Sequence, residues 1–159
     1  MEKLSEQQCL DCADKDGCHG DSTTICFEYA KQTAIVSEAV YPYNGFDNYC
    51  TTEKGGDAKV VTYAMVPKNN SQQLMAAIVN APVAVGVDGF SYPFMHYMSG
   101  IITDPACGTT TSMYVTAVGY GVENGQKYYI LKNSWGADWG DHGYLRVGYS
   151  GDGPGICGV

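Results

Sequence analysis

The stretch Tyr128–Gly143, reading YYILKNSWGADWGDHG, constrains this chain more than any other. Tyr128-Tyr129-Ile130-Leu131 is a β-favouring run that delivers Asn133 onto a turn. Two tryptophans follow, Trp135 and Trp139, each placed before a glycine or one step ahead of it in a W-G pair. Upstream, Val115–Gly121 reads VTAVGYG, an apolar run that ends on glycine-punctuated backbone. The link Val122-Glu123-Asn124-Gly125-Gln126 is polar and contains glycine, so the two runs predict a hairpin.

Other motifs stand in order along the chain. Leu4–Cys12 reads LSEQQCLDC, Gly17–Gly20 reads GCHG, and Tyr41-Pro42-Tyr43 leads to Cys50. Pro82–Val85 reads PVAV, and Gly155–Gly158 reads GICG. With the N-S-W-G of Asn133–Gly136, these resemble the cathepsin L-like, papain-like cysteine peptidases over nearly the whole chain. The resemblance implies an α+β fold in a single truncated domain. A remnant of a helical lobe would occupy about residues 1–56, and a mainly antiparallel, barrel-like sheet about 57–159. It also implies disulfides Cys12–Cys50 and Cys107–Cys157. In the family, the cysteine matching Cys18 bonds to a more N-terminal segment. Cys9 and Cys26 stand where the family carries apolar residues. One of them could rescue Cys18, or the two could bond each other. Seven cysteines leave at least one thiol free or intermolecular.

Two departures from the family bear on function. The family's nucleophile lies on a helix upstream of the S-E-Q motif, in a C-G-S-C-W type signature. Only Met1, Glu2 and Lys3 precede Leu4 here, so this chain is expected to lack the nucleophile, its helix and the oxyanion glutamine. Counting without a gap from Cys107-Gly108 to Gly119-Tyr120-Gly121, the position of the catalytic histidine falls on Met113. A thioether has no proton to exchange and cannot act as a general base. Nor can it hold a cysteine as its thiolate, as an imidazolium does. Asn133 and Trp135 are then remnants of a catalytic site. Gly20, Asp21, Ser112 and Trp139 are remnants of a substrate groove. Asp21 replaces a glycine that lies along the peptide substrate, where a carboxylate adds bulk and charge; it equally suits the solvated start of a helix.

The resemblance therefore implies an inactive homologue, a pseudopeptidase that binds a protein or peptide or associates with itself. The face left by the missing helix would be apolar and contiguous, which soluble monomers rarely tolerate, so repacking, a separate chain filling the gap or self-association is expected, an oligomer being the commonest solution. The alternative is a heavy-chain-like part of an endopeptidase completed by another chain. Met113 weighs against it, because a supplied cysteine would still meet no base.

Composition narrows the partners. A net charge of −8 disfavours nucleic acid, which selects basic surfaces. No apolar run is long enough to predict a membrane span, and no signal peptide is evident in this chain. The cysteine content points to an oxidising compartment, secreted or lysosomal/vacuolar. No metal or other cofactor is expected, since Cys9 and Cys12 lie inside a helical motif. His19, His96 and His142 all miss the catalytic position and read as ordinary histidines. The hydroxyl run Thr109–Ser112 reads as a polar loop, because no base adjoins it.

Local patterns place the remaining elements. Ser5 and Gln8 form a capping-box pattern at a short helix. A second helix is expected from Ser22 or Thr23 to about Thr33, with Ile25, Tyr29 and Ala30 on one face. Lys59–Tyr63 reads as a strand. Asn70 or Ser71 caps a helix that carries Leu74, Ala77 and Ile78 inward. Asn69-Asn70-Ser71 is also a glycosylation sequon, although capping is its default role. Val83–Val87 reads as a buried strand and Leu145–Val147 as another. Phe90–Met98, rich in aromatics and methionine, either packs inward or makes a contact surface.

Overall fold

The computed structural model describes residues 3–13, 16–20, 22–51, 56, 58–149 and 151–159. It forms two compact units, Met1–Ala64 and Met65–Val159. In the first, α1 spans Glu6–Cys12 and α2 spans Thr23–Gln32. Ser5 caps α1: its Oγ accepts from the Gln8 N–H at 3.0 Å and donates to the Tyr41 carbonyl at 2.6 Å. The other half of the expected capping box does not form. The buried Gln8 side chain is committed elsewhere, donating to the Ala34 carbonyl and accepting from the Val36 N–H. Gln7, equally buried, donates to Asp11 and to the Phe46 carbonyl and accepts from the Asn44 N–H. Polar side chains can fill this interior because each finds partners; an orphaned amide would cost about 1–3 kcal/mol.

Ser22 caps α2 through the Thr24 N–H. Of the expected inward face only Ala30 is fully buried, with Ile25 and Tyr29 half-buried. Disulfides join Cys9 to Cys26, which ties α1 to α2, and Cys12 to Cys50; Cys18 is free and exposed. The run Lys59–Tyr63 is not a strand. Ala58 bridges Ile35, and the Val60 N–H donates to the Ala30 carbonyl at 3.1 Å, but Val61 is exposed. Its β-branched residues meet no neighbouring strand, so propensity alone does not build a ladder.

The second unit is a four-stranded antiparallel sheet in the order β1-β2-β3-β4. Its strands are β1 Val83–Val87, β2 Met113–Glu123, β3 Gln126–Lys132 and β4 Tyr144–Gly148. The predicted hairpin is β2–β3, with a tighter turn than its polar link suggests. Glu123 pairs with Gln126, leaving Asn124 and Gly125 at φ 50° and 81°. Positive φ at both central residues gives the turn whose twist matches paired strands. Alternation then buries Val115, Ala117, Tyr129, Leu131, Leu145 and Val147 on one face. α3, Ser71–Asn80, adds Leu74 and Ile78, and the short α4, Tyr92–Met95, adds Phe94. The Cys107–Cys157 disulfide is wholly buried in this core. β1 is less buried than a run of valines suggests: only Val87 is fully covered, because the strand lies at the sheet's edge.

Candidate functional site

Met113 is the first residue of β2 and pairs with Val87 at the end of β1. Its half-buried side chain packs against the core. The thioether sulfur and Cγ fill the space that a Cβ on Gly89 would take. The chain is held there by Ser112. The Ser112 N–H donates to the Val87 carbonyl at 2.9 Å, and its hydroxyl accepts from the Gly89 N–H at 2.9 Å. The Ser112 hydroxyl thus secures the turn that carries the glycine under Met113.

Asn133 leaves the same end of the ladder. Lys132 pairs with Thr116, so Asn133 continues past β3 beside the start of β2. Its N–H donates to the Gly143 carbonyl, and its Oδ1 accepts from the Ser134 N–H at 2.8 Å. The residue is only 7% exposed, yet Nδ2 has no hydrogen-bond partner among the described residues. The turn therefore uses the carbonyl of this amide and leaves its donor idle, at a cost of about 1–3 kcal/mol.

The two indoles are organised by Phe94, which is fully buried. Trp139 stacks on Phe94 at 5.4 Å, while Trp135 meets Phe94 edge-on at 5.6 Å and Trp139 edge-on at 5.2 Å. Trp139 Nε1 donates to the Met95 carbonyl at 3.2 Å. Trp135 stays substantially exposed. Such ring pairs add roughly 0.5–1.5 kcal/mol each beyond burial, which gives both tryptophans a structural reason to persist. The Phe90–Met98 run divides its side chains between core and surface. Phe94 and Tyr97 point inward, and Phe90, Tyr92 and Met98 stand in solvent.

Gly20 is exposed at φ 87° in the first unit, and Asp21 lies outside the described residues. His19 is exposed in a 3-10 turn, His96 packs its ring on Tyr92 at 4.3 Å, and His142 contacts its neighbour Asp141 at 3.0 Å. The free thiol of Cys18 is pushed up by its hydrogen bond to Asp47, then by burial and by the same carboxylate's charge. A raised thiol carries little thiolate near neutral pH. Among the described residues no group of three or more metal-ligating side chains occurs, and no helix is long and apolar enough to cross a membrane. The Met113 end of the sheet thus offers an amide, a hydroxyl, a thioether and two indoles, none of which exchanges a proton near neutral pH. Phe94, which shapes it, lies in the aromatic Phe90–Met98 run that the sequence marks out, whereas Gly89 was missed; the turn-forming Asp88-Gly89 pair after β1 was the available signal for it.

Comparison with known proteins gives this geometry its context. The family model described as papain family cysteine protease matches residues 1–159. A KDEL-tailed cysteine endopeptidase of Arabidopsis thaliana is 41% identical over 162 residues, which take in 98% of this chain and 45% of the relative. Chymopapain of Carica papaya is 40% identical, over 99% of this chain and 46% of its own length. The chain therefore spans a little under half the length of these curated relatives. Among solved structures, a bromelain protease of Ananas comosus superposes with a TM-score of 0.94 at 42% identity, covering 100% of this chain and 75% of that one.

Proposed function

We propose that this chain, which belongs to the papain family of cysteine proteases, does not hydrolyse peptides and acts as a binding protein in an oxidising compartment, secreted or lysosomal/vacuolar. The observation that carries this reading is Met113, whose thioether is packed over Gly89 where the family resemblance calls for an imidazole. A thioether neither takes a proton from a thiol nor returns one to a leaving amine. The idle Nδ2 of buried Asn133 supports the same reading, as does the raised thiol of Cys18. The described histidines are all exposed; His19 follows the free Cys18 in sequence, but that thiol is directed to the Gly45 carbonyl and to Asp47. Three disulfides support the compartment.

The binding role rests on exposed apolar side chains. Phe90, Tyr92 and Met98 of one short run are 70%, 72% and 80% exposed. Exposed apolar side chains concentrated in one segment favour a role in interaction. The occupant is a protein or peptide, or a second copy of the chain. The test is hydrolysis of fluorogenic peptides by thiol-counted protein, with and without an alkylating agent, beside solution mass at several concentrations. No alkylation-sensitive hydrolysis, with concentration-dependent association, is expected. Alkylation-sensitive turnover by the chain alone would overturn the reading. Turnover only after a nucleophile-bearing segment from a relative such as chymopapain is added would establish the heavy-chain alternative.

A further inference from the structure

We propose that Asn69 is an acceptor of an N-linked oligosaccharide. The sequence contains one Asn-x-Ser/Thr triplet, Asn69-Asn70-Ser71, with no proline in the middle. Helix capping would account for the triplet if all three residues were needed for it, but the structure divides their work. Asn70 is the N-cap of α3: its Oδ1 accepts from the Gln73 N–H at 3.0 Å. Ser71 is buried, and its hydroxyl donates to Asp152 at 2.6 Å. Asn69 is exposed, and its carboxamide makes no hydrogen bond to another described residue; only its backbone carbonyl is used, by the Gly153 N–H. Its φ of 59° explains an asparagine there without explaining the hydroxyl two residues later. The acceptor nitrogen therefore stands free in solvent at a turn, as modification requires.

In the transfer, Asn69 Nδ2 bonds to the anomeric carbon of a lipid-pyrophosphate-linked oligosaccharide. The bond from that carbon to the pyrophosphate oxygen breaks, lipid pyrophosphate leaves with the electron pair, and a base of the transferring enzyme takes the amide proton. The Ser71 hydroxyl is sequestered by Asp152 once α3 docks, so transfer precedes folding of this unit. The chain disulfides place it in the kind of compartment where such transfer occurs. The experiment is secretion of the chain from a eukaryotic host, with intact mass taken on folded protein before and after peptide:N-glycosidase. Wild type is expected to lose one oligosaccharide mass and to gain one Asn-to-Asp conversion at Asn69. Asn69→Asp, which keeps a residue tolerant of positive φ, is expected to be secreted without it, and Ser71→Thr to retain it. Folded, secreted wild type with no oligosaccharide, or with the mass unchanged in Asn69→Asp, would overturn the proposal.

Discussion

The sulfur of Met113 lies over Gly89, in the space a side chain at that glycine would need. The two residues come from facing strand ends, since Met113 pairs with Val87 and the Ser112 hydroxyl accepts from the Gly89 N–H. The thioether is therefore part of the packing at this end of the sheet. Gly89→Ala is expected to destabilise the second unit by about 1–3 kcal/mol, the usual range for an added methyl in filled space. Adding Met113→Ala should recover most of that loss, read as a coupling energy in a double-mutant cycle by urea unfolding. Additive losses would show that the sulfur does not fill that space in solution.

The start of α3 depends on a carboxylate distant in sequence. Asp152 accepts from both the hydroxyl and the N–H of Ser71. The Ser71 hydroxyl first, and its N–H second, hold the Asp152 carboxyl below its ordinary value against some opposing burial. A carboxyl depressed by folding adds stability above its unfolded pKa, about 3.9. That contribution is lost as pH falls through the folded value. Urea midpoints of wild type should fall more steeply than those of Asp152→Asn as pH drops from about 5 to about 2, the span over which such a group protonates. Parallel curves would remove Asp152 from the account of this helix.

Much of this fold is legible where sequence and structure depend on neighbours along the chain. The caps at Ser5, Ser22 and Asn70 are local, and each is found where its side chain can reach the first free N–H groups. The hairpin is legible for the same reason, although pairing of Glu123 with Gln126 shortens its link to Asn124-Gly125. The errors lie where a distant partner decides. Gln8 has the right spacing to return to Ser5, but Ala34 and Val36 claim it. Lys59–Tyr63 has strand composition and no strand beside it. The bond between Cys9 and Cys26 could be named only as one of several options, because cysteine spacing does not determine connectivity. Met113 is singled out by gapless counting between motifs, whereas Gly89 beneath it becomes visible only in the fold.

The disulfides should differ in accessibility. Cys107 and Cys157 are fully buried, whereas Cys50 is exposed and Cys9, Cys12 and Cys26 are half-buried. Exchange requires a thiolate to reach a sulfur. Mild reduction of folded protein followed by mass-tag alkylation is expected to label the cysteines of the first unit while Cys107–Cys157 stays closed. Replacing both Cys107 and Cys157 with serine should cost about 2–5 kcal/mol, as for native bridges generally. Early labelling of Cys107 in folded protein would contradict the burial of that bridge.

The β2–β3 turn isolates a purely backbone effect. Asn124 and Gly125 both have positive φ, and a Cβ built at Gly125 would meet nothing within 4 Å. A side chain there therefore acts through backbone strain and not through a clash. Gly125→Ala is expected to destabilise the unit by about 1–2 kcal/mol, the cost of a left-handed residue bearing a Cβ. Gly125→Asn should lose less despite its larger side chain, because asparagine visits that region more readily. Thermal unfolding of the pair checks the order. If the larger residue proves the more damaging, space and not φ governs this turn, and the open surroundings of Gly125 would have to be closed by something packed against the hairpin in solution.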